Sequence, residues 1–407
     1  GFADIFVVFA KIDGEKFSAF VVERKSEGVT IGPEEQKMGL KASSTCSITF
    51  EDVKVPVENL LGKPGAGNLF AFNILNFGRL SVGAGCLGNT KDTIETSVKY
   101  ANQRVQFGRK ISSFPLIQKK IADMNIKSYV LESMVYRTAN LLDQKVKELD
   151  FSDPDMGNKS RKAIGEYMLE CAINKVFGSE VLDFAADEGL QIHGGYGYMK
   201  EYKIEGIYRD ARIKRIFEGS NEIIRLFITT TVLKQLSKGE LLSLKKEIEQ
   251  ISEELENTIF VPNIEGVLDQ ESHLVAITRK IYAFTLAQAM GKYGAKLVEE
   301  QEICSNLADI IINLYAMESV LLRTKKLIEL KGEEAVQNGI NMTKTFIHEA
   351  FDHNVCFSRE TLYAVNSDEM TNNLSKLEEL SRKLSINTIG LKRKIATKVI
   401  DAEKYII

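Results

Sequence analysis

The sequence predicts a mainly α-helical protein with a small β portion, on three observations. Alternating β-branched and aromatic residues are confined to the first sixty or so positions. Apolar residues spaced three, four or seven apart run through most of the remaining chain. From about Leu236, leucine and isoleucine recur in heptad-like spacing among lysine and glutamate. The expected organisation is a partial β-domain over residues 1–60, a helical bundle over 61–235 and an additional C-terminal helical domain over 236–407.

Ile5 to Ile12 and Phe17 to Val22 read as strands joined by Asp13-Gly14, a pair that tolerates the positive φ of a tight hairpin. Cys46, Ile48 and Phe50 alternate with Ser47 and Thr49, and Val53 and Val55 carry the pattern on toward Pro56, as in a strand with one buried face. Strands so few cannot close a barrel. Leu80, Ala84, Leu87, Ile94, Val98 and Ala101 form one helical stripe, and Ile117, Ile121, Met124, Leu131, Val135 and Leu142 a second. Leu149 to Ser160, rich in Asp, Ser, Pro and Gly, should break that second helix in a surface excursion that need not touch an active site. A third helix is expected from about Lys162 to Asp187 and a fourth from near Ser220. Leu241, Leu244, Ile248, Ile251 and Leu255 open the C-terminal helices, and Leu307, Ile311, Leu314, Val320, Leu321 and Leu327 repeat the pattern.

Lys and Arg number 53 against 56 Asp and Glu, a net charge of -3 that argues against nucleic acid as a partner. Five cysteines lie far apart with no C-x-x-C pair, which suggests free thiols in a reducing compartment rather than a disulfide framework or a zinc knuckle. No apolar run reaches the roughly 18 residues of a membrane span and no secretory leader opens the chain, so an unsecreted protein is expected. Gly1 leads at once into strand-like sequence, so a preceding part of the protein is expected to be absent. His348 and His353 are five apart, not the four that places two ligands on one helical face, and no metal site is expected.

Three segments carry candidate chemistry. Gln191-Ile192-His193-Gly194-Gly195-Tyr196-Gly197 follows a helix and could bring backbone amides close to a phosphate or planar ligand, although by spacing it reads first as a structural turn. Arg104-Val105-Gln106-Phe107-Gly108 ends the first long helix. Its arginine could fork onto a phosphate, or it could be a basic C-cap beside a core aromatic. In Phe217-Glu218-Gly219-Ser220-Asn221-Glu222, Ser220 or Asn221 can N-cap the following helix, leaving Glu218 in the loop before it as a general base or a solvated carboxylate.

Together and in this order, these segments resemble the acyl-CoA dehydrogenase family. Lys37-Met38-Gly39, Phe50 to Pro56 and Leu61-Gly62 are similar to the exit from that family's β-domain. Arg104 to Gly108 resembles its R-x-x-F-G motif, Gln191 to Gly197 its Q-x-x-G-G-x-G loop, and Arg209-Asp210-Ala211 with Phe217 to Glu222 its catalytic segment. Ile74 to Arg79, Asn102 to Gly108 and Phe114 to Gln118 look most like the very-long-chain branch, which carries an additional C-terminal helical domain. The family's N-terminal helical domain and the first half of its β-domain have no counterpart here.

The resemblance implies FAD-dependent α,β-dehydrogenation of a long-chain fatty acyl-CoA to the trans-2-enoyl-CoA in fatty acid β-oxidation. Electrons would pass to electron-transferring flavoprotein. Glu218 would be the catalytic base. Arg104, Gln106 and Phe107 would meet the flavin cofactor, and Gln191, Ile192, His193, Gly194 and Gly195 would approach the FAD of a partner subunit in a homodimer. Ser220, Asn221 and Glu222 would meet cofactor at a helix N-terminus, Glu222 through its backbone. Asn76 and Arg79 would face the thioester arm, with Phe217 and Gly219 beside the reacting carbons. The expected location is cytoplasmic in a bacterium or on the matrix side in a mitochondrion, with contact to a membrane surface an open option. An acyl-CoA oxidase and a non-enzymatic assembly scaffold are the alternatives.

Overall fold

The computed structural model describes residues 1–153, 155–257, 265–365, 370–382 and 386–407. The N-terminal strands β1 (Ile5–Ile12) and β2 (Lys16–Glu23) form an antiparallel hairpin, to whose outer edge β5 (Leu60–Leu61) adds two residues. Both turn residues are left-handed, Asp13 at φ 53° and Gly14 at φ 74°, as the expected hairpin needs. A separate two-stranded sheet pairs β3 (Val29–Glu34) with β4 (Cys46–Phe50).

Two expectations change here. The strand at Val29–Glu34 was not anticipated, because Gly32-Pro33 interrupts its short apolar run; the ladder accommodates them as an irregularity between Ile31 and Glu34. The strand starting at Cys46 stops at Phe50 and does not continue through Val53, because Asp52 turns the chain with φ 50°.

Among the described residues, the remaining regular elements are helical apart from the two-residue ladder of β6 (Val105–Gln106) and β7 (Arg109–Lys110). The helices are α1 (Gly67–Gln103), α2 (Pro115–Lys147), α3 (Met156–Glu166), α4 (Met168–His193), α5 (Lys203–Arg212) and α6 (Asn221–Ser237). They continue as α7 (Leu242–Asn257), α8 (Asp269–Tyr293), α9 (Gln301–Lys331), α10 (Gln337–Val365), α11 (Met370–Leu380) and α12 (Thr388–Ala402). The mainly α class is therefore correct. Helix α1 begins at Gly67, well before its apolar stripe at Leu80, and α3 forms partly inside the segment expected to be an irregular excursion.

Most of the two expected stripes is core, but Ala84 is exposed, and Leu80 and Leu142 pack in a small separate cluster with Cys171. Leu87, Ile94, Val98 and Ala101 of α1 pack with Ile121, Met124, Leu131 and Val135 of α2, and the same apolar cluster runs on into α4, α6, α8, α9, α10 and α12. Helices α1 and α4 are the most intimate pair. A Cβ on Gly178 would lie 3.0 Å from the Gly83 Cα, and one on Gly83 would lie 2.9 Å from the Asn174 carbonyl oxygen. The two backbones thus touch where neither helix has a side chain.

The C-terminal helices are fastened to the bundle by buried polar contacts as well. Glu132 of α2, 5% exposed, accepts from Lys91 of α1, from Arg323 of α9 at 2.8 Å and from the Tyr405 hydroxyl at 2.8 Å. Asn125 of α2 donates to the Ile406 carbonyl at 3.0 Å and accepts from its N–H at 3.2 Å. Burial alone would raise the Glu132 pKa, but its three donors outweigh it and hold the carboxyl below the ordinary value. A depressed carboxyl contributes stability that is present above its unfolded pKa and lost as pH falls through its folded one.

Two substitutions test this packing. Gly178→Val should lower stability by about 3 kcal/mol, the upper range for forcing methyl groups into a packed crossing, in a denaturant titration. Glu132→Gln should lower stability at pH 7 by about 3 kcal/mol through loss of a buried charge, read as a fall in Tm. That deficit should shrink toward zero as melts are repeated down to a pH of about 3, below the ordinary carboxylate range.

Candidate active site

Glu218 sits in a turn that the chain adopts only under restraint. Glu218 has φ 59° and Gly219 φ 95°, two successive left-handed residues, and Ser220 then N-caps α6, its Oγ accepting from the Ile223 N–H at 3.5 Å. A non-glycine residue in this region costs about 1 to 2 kcal/mol, so other contacts must hold it. Two successive carbonyls are held, each by a cation from a different helix. Arg79 of α1 donates through Nε to the Glu218 carbonyl at 3.4 Å, and Lys175 of α4 donates through Nζ to the Gly219 carbonyl at 2.7 Å.

The Glu218 carboxylate is thereby turned against α1 at Gly78. A Cβ added there would lie 2.9 Å from Oε2, and Oε2 is buried with no hydrogen-bond partner among the described residues. An acceptor left so costs about 1 to 3 kcal/mol unless a ligand meets it. Arg79 is itself buried; burial lowers its pKa while the Glu218 charge opposes the shift, and its guanidinium also lies 4.8 Å from the Phe227 ring centre. Asn76, three residues before Arg79 on α1, is buried too. Phe217 packs on Val82, Cys86, Leu182, Ala186 and Ala211, which fixes the approach to the turn.

Behind the turn lies a polar network. The Asn221 side chain is 1% exposed: its Oδ1 accepts from Lys175 at 2.7 Å, and its Nδ2 donates to Ser179 at 3.0 Å and to Glu180 at 3.1 Å. Arg225 forks onto Glu180 at 2.8 and 3.1 Å and reaches Asp309 of α9 at 2.8 Å. Burial pushes the Asp309 pKa up to about 6 even so. The Asn221 side chain therefore faces inward, and any contact it makes with a cofactor is through its backbone. The Glu222 carboxyl is held below its ordinary value by its own N–H and by Ser220.

The other predicted residues gather elsewhere. Arg104 follows α1, and the ladder of β6 and β7 turns at Phe107 and Gly108, both with positive φ. Phe107 is 90% exposed, edge-on to Phe114. The α4 helix ends at Gly194 with φ 59°, and the Arg104 guanidinium lies 5.3 Å from the Tyr196 ring centre. His193 stacks on Tyr100 with ring centres 4.2 Å apart, and its Nδ1–H donates to the Gly189 carbonyl at 2.7 Å; burial lowers its pKa. Arg104, Gln106, Ile192, His193, Gly194 and Gly195 line one cavity of ≈ 540 Å³.

The two clusters stand at opposite ends of the α1–α4 pair. Arg79 and Arg104 are 25 residues apart along α1 and its cap, which at the helical rise is about 37 Å. A further cavity, of ≈ 610 Å³, lies between the start of α1 and α3, walled by Phe70 and Ile74 on one side and Asn158, Arg161 and Ile164 on the other. Ile74 is one helical turn from Gly78. Residues within 155–164 thus wall a cavity beside the Glu218 turn, although the sequence placed the excursion where it need not touch an active site. Among the described residues no group of three His, Cys, Asp or Glu side chains could hold a metal, and no helix is long and apolar enough to cross a membrane.

Gly78, Lys175 and Arg225 were missed by sequence reasoning. Of these only Lys175 left a sign, as the one charge in the apolar run Cys171 to Gly178.

A family model described as "Acyl-CoA dehydrogenase, C-terminal domain" matches residues 65–233, and a second model of the same description matches residues 277–379. The chain is 46% identical to a probable acyl-CoA dehydrogenase of Bacillus subtilis over its full 407 residues, covering 68% of that protein. It is 36% identical to the bovine mitochondrial very long-chain specific acyl-CoA dehydrogenase over 90% of its own length, spanning 57% of that relative. Among solved structures, an acyl-CoA dehydrogenase of Bacillus anthracis complexed with FAD superposes with a TM-score of 0.97 at 48% identity, over 100% of this chain and 69% of that one. Motif order, geometry and these likenesses agree, and the chain belongs to the acyl-CoA dehydrogenase family.

Proposed function

We propose that the protein catalyses FAD-dependent α,β-dehydrogenation of a fatty acyl-CoA, with Glu218 as the base that removes the α-proton. The observation that carries this reading is the Glu218 carboxylate itself, fixed in a left-handed turn with Oε2 buried, unpartnered among the described residues and facing a glycine. A carboxylate so placed accepts a proton without first breaking a hydrogen bond. Its turn is anchored from both sides by Arg79 and Lys175, so the base is held ready rather than searching for its position.

The residues present fit a flavin dinucleotide. Arg104 offers a forked donor for a pyrophosphate, and a Cβ on Gly194 or Gly195 would meet nothing within 4 Å, so backbone there is open to close approach. FAD, when bound, supplies the acceptor for the β-hydride. The N-terminus of α6, at Ser220, Asn221 and Glu222, lies beside Glu218 and would favour a negatively charged group of the cofactor. The cavity between α1 and α3 admits part of the acyl-CoA, with apolar walls at Phe70, Ile74 and Ile164 and the Arg161 Nε buried and unpartnered among the described residues.

Several finer assignments belong to the same reading. A long-chain substrate, electron-transferring flavoprotein as electron acceptor and a place in fatty acid β-oxidation are supported by the resemblance to the very-long-chain branch. A cytoplasmic location in a bacterium fits five cysteines that are all free. A homodimer is supported by the distance between the clusters: residues about 37 Å apart on one chain serve a common cofactor only if a second copy brings its Arg104 end to the Glu218 end of the first.

Two experiments test this. Glu218→Gln should keep FAD and acyl-CoA binding within about threefold, since charge and not shape is lost, yet abolish bleaching of the flavin band by palmitoyl-CoA; equal bleaching rates would remove Glu218 from the chemistry. Co-expressed Arg104→Ala and Glu218→Gln subunits should complement, because a hybrid dimer rebuilds one intact site and should reach about half of wild-type activity. Absence of recovery in isolated hybrids would mean that each site is built within one chain.

A further inference from the structure

A lysine lies buried beneath the Glu218 turn, away from the reacting atoms. Lys175 is 0% exposed, in the first third of α4, among Ile173, Val176 and Phe177. Its two hydrogen-bond acceptors, the Gly219 carbonyl and the Asn221 Oδ1, are both 2.7 Å away and both uncharged. An ammonium taken out of water without a counterion in contact costs several kcal/mol. The N-terminus of α6 adds to that cost, because the helix dipole there repels a cation. Burial accordingly drives the Lys175 pKa down to about 8, with the nearby Arg79 charge acting in the same direction. A glutamine or methionine would fill the core more cheaply, so packing alone does not account for this residue.

We propose that Lys175 is a positioning residue for proton abstraction: its ammonium pins the Gly219 carbonyl inward and so holds the left-handed Glu218–Gly219 turn that aims the carboxylate at Gly78. The inference rests on the reading of Glu218 as the base. Its geometry follows from the two anchors. The Glu218 carbonyl is held by Arg79 and the next carbonyl along the chain by Lys175, so the peptide between them cannot rotate. Asn221 fixes the ammonium in turn, through Ser179 and Glu180 on the next turn of α4. With Lys175 removed, Gly219, the most permissive residue of the turn, is free to relax, and the carboxylate loses its aim rather than its identity.

The test separates proton removal from hydride transfer. The FAD-loaded protein is mixed in deuterated water with an acyl-CoA whose β-carbon is replaced by sulfur. This analogue exchanges its α-protons but cannot lose a β-hydride, so exchange followed by NMR or mass spectrometry reads the base alone. Lys175→Met should exchange about 10²-fold more slowly than wild type, the effect of misplacing a reacting group by about 1 Å. Binding of the analogue and of FAD should stay within about threefold, and melting should stay cooperative. A merely structural lysine would move the melt and the binding together with the rate. A folded Lys175→Met that exchanges within threefold of wild type overturns the inference.

Should the methionine variant fail to fold, Lys175→Arg carries the test. It keeps the charge and shifts only where the donors sit. Exchange reduced tenfold or more with analogue binding retained supports the inference, and exchange within twofold of wild type overturns it. Glu218→Gln is run beside both. If it exchanges like wild type, the reading of Glu218 as base has failed. If it loses exchange while a folded Lys175 variant does not, that reading stands and only the role of Lys175 is wrong.

Discussion

The contact on which the rest of the structure depends is the crossing of α1 and α4 at Gly83 and Gly178. Because neither residue has a side chain, the two backbones come together, and the residues one turn away on each helix are carried to the same small volume. Gly78 and Arg79 arrive from α1 and Lys175 from α4, and the Glu218 turn fits between them. Farther along, the same pair stays close: a Cβ on Gly189 of α4 would meet the Ser97 Oγ of α1 at 2.8 Å. Both helices then run on to deliver Arg104 and Gly194 to one cavity. One close-packed helix pair thus places both clusters.

The Glu218 end is locally unfavourable almost throughout. Among the described residues it contains a non-glycine residue at positive φ, an unpartnered carboxylate oxygen, a desolvated arginine and a buried ammonium hydrogen-bonded to uncharged acceptors. Each of these costs on the order of 1 kcal/mol or more, and none improves packing. They persist because the surrounding helices over-determine them. The contiguous apolar cluster behind the site reaches across α1, α2, α4, α6 and the C-terminal helices, and burial of side chains such as Met134, Ile173 and Phe284 at roughly 1.5 to 3 kcal/mol each outweighs the local strain. Strain gathered in one turn and stability spread over a large core is the pattern expected of a site held in readiness rather than assembled on binding.

How far the sequence could be read depends on the physics of each signal. The hairpin at Asp13-Gly14 and the stripes of α1 and α2 were legible because period and turn chemistry are local. Glu218, Arg104 and the Gln191 to Gly195 loop were legible as motifs, and the structure sorts them into two clusters that no linear reading separates. The strand at Val29–Glu34 was hidden by its Gly32-Pro33, and α3 by the Pro and Gly around it. Gly78 and Lys175 were illegible for a different reason. A glycine in a helix and a lysine in an apolar run acquire meaning only from what lies across a tertiary contact, here the carboxylate of one residue and the carbonyl of the next, some 140 and 44 positions away in sequence.

The C-terminal helices take part in this arrangement from both sides. At the Glu218 end, Asp309 of α9 holds Arg225, which holds Glu180, which in turn holds Asn221 against Lys175. At the other end, Asn102, two residues before Arg104, donates to the Ile400 carbonyl at 3.0 Å and to Glu403 at 2.9 Å, so that α12 grips the last turn of α1. The docked Tyr405 and Ile406 extend that grip along α2. A helix as long as α1 bends easily unless its length is supported, and a bend of a few degrees displaces one end by ångströms relative to the other. Supports at both ends keep the two clusters in a constant relation, which a cofactor shared between copies would require. The residues beyond 236 therefore brace the helix pair that carries both clusters.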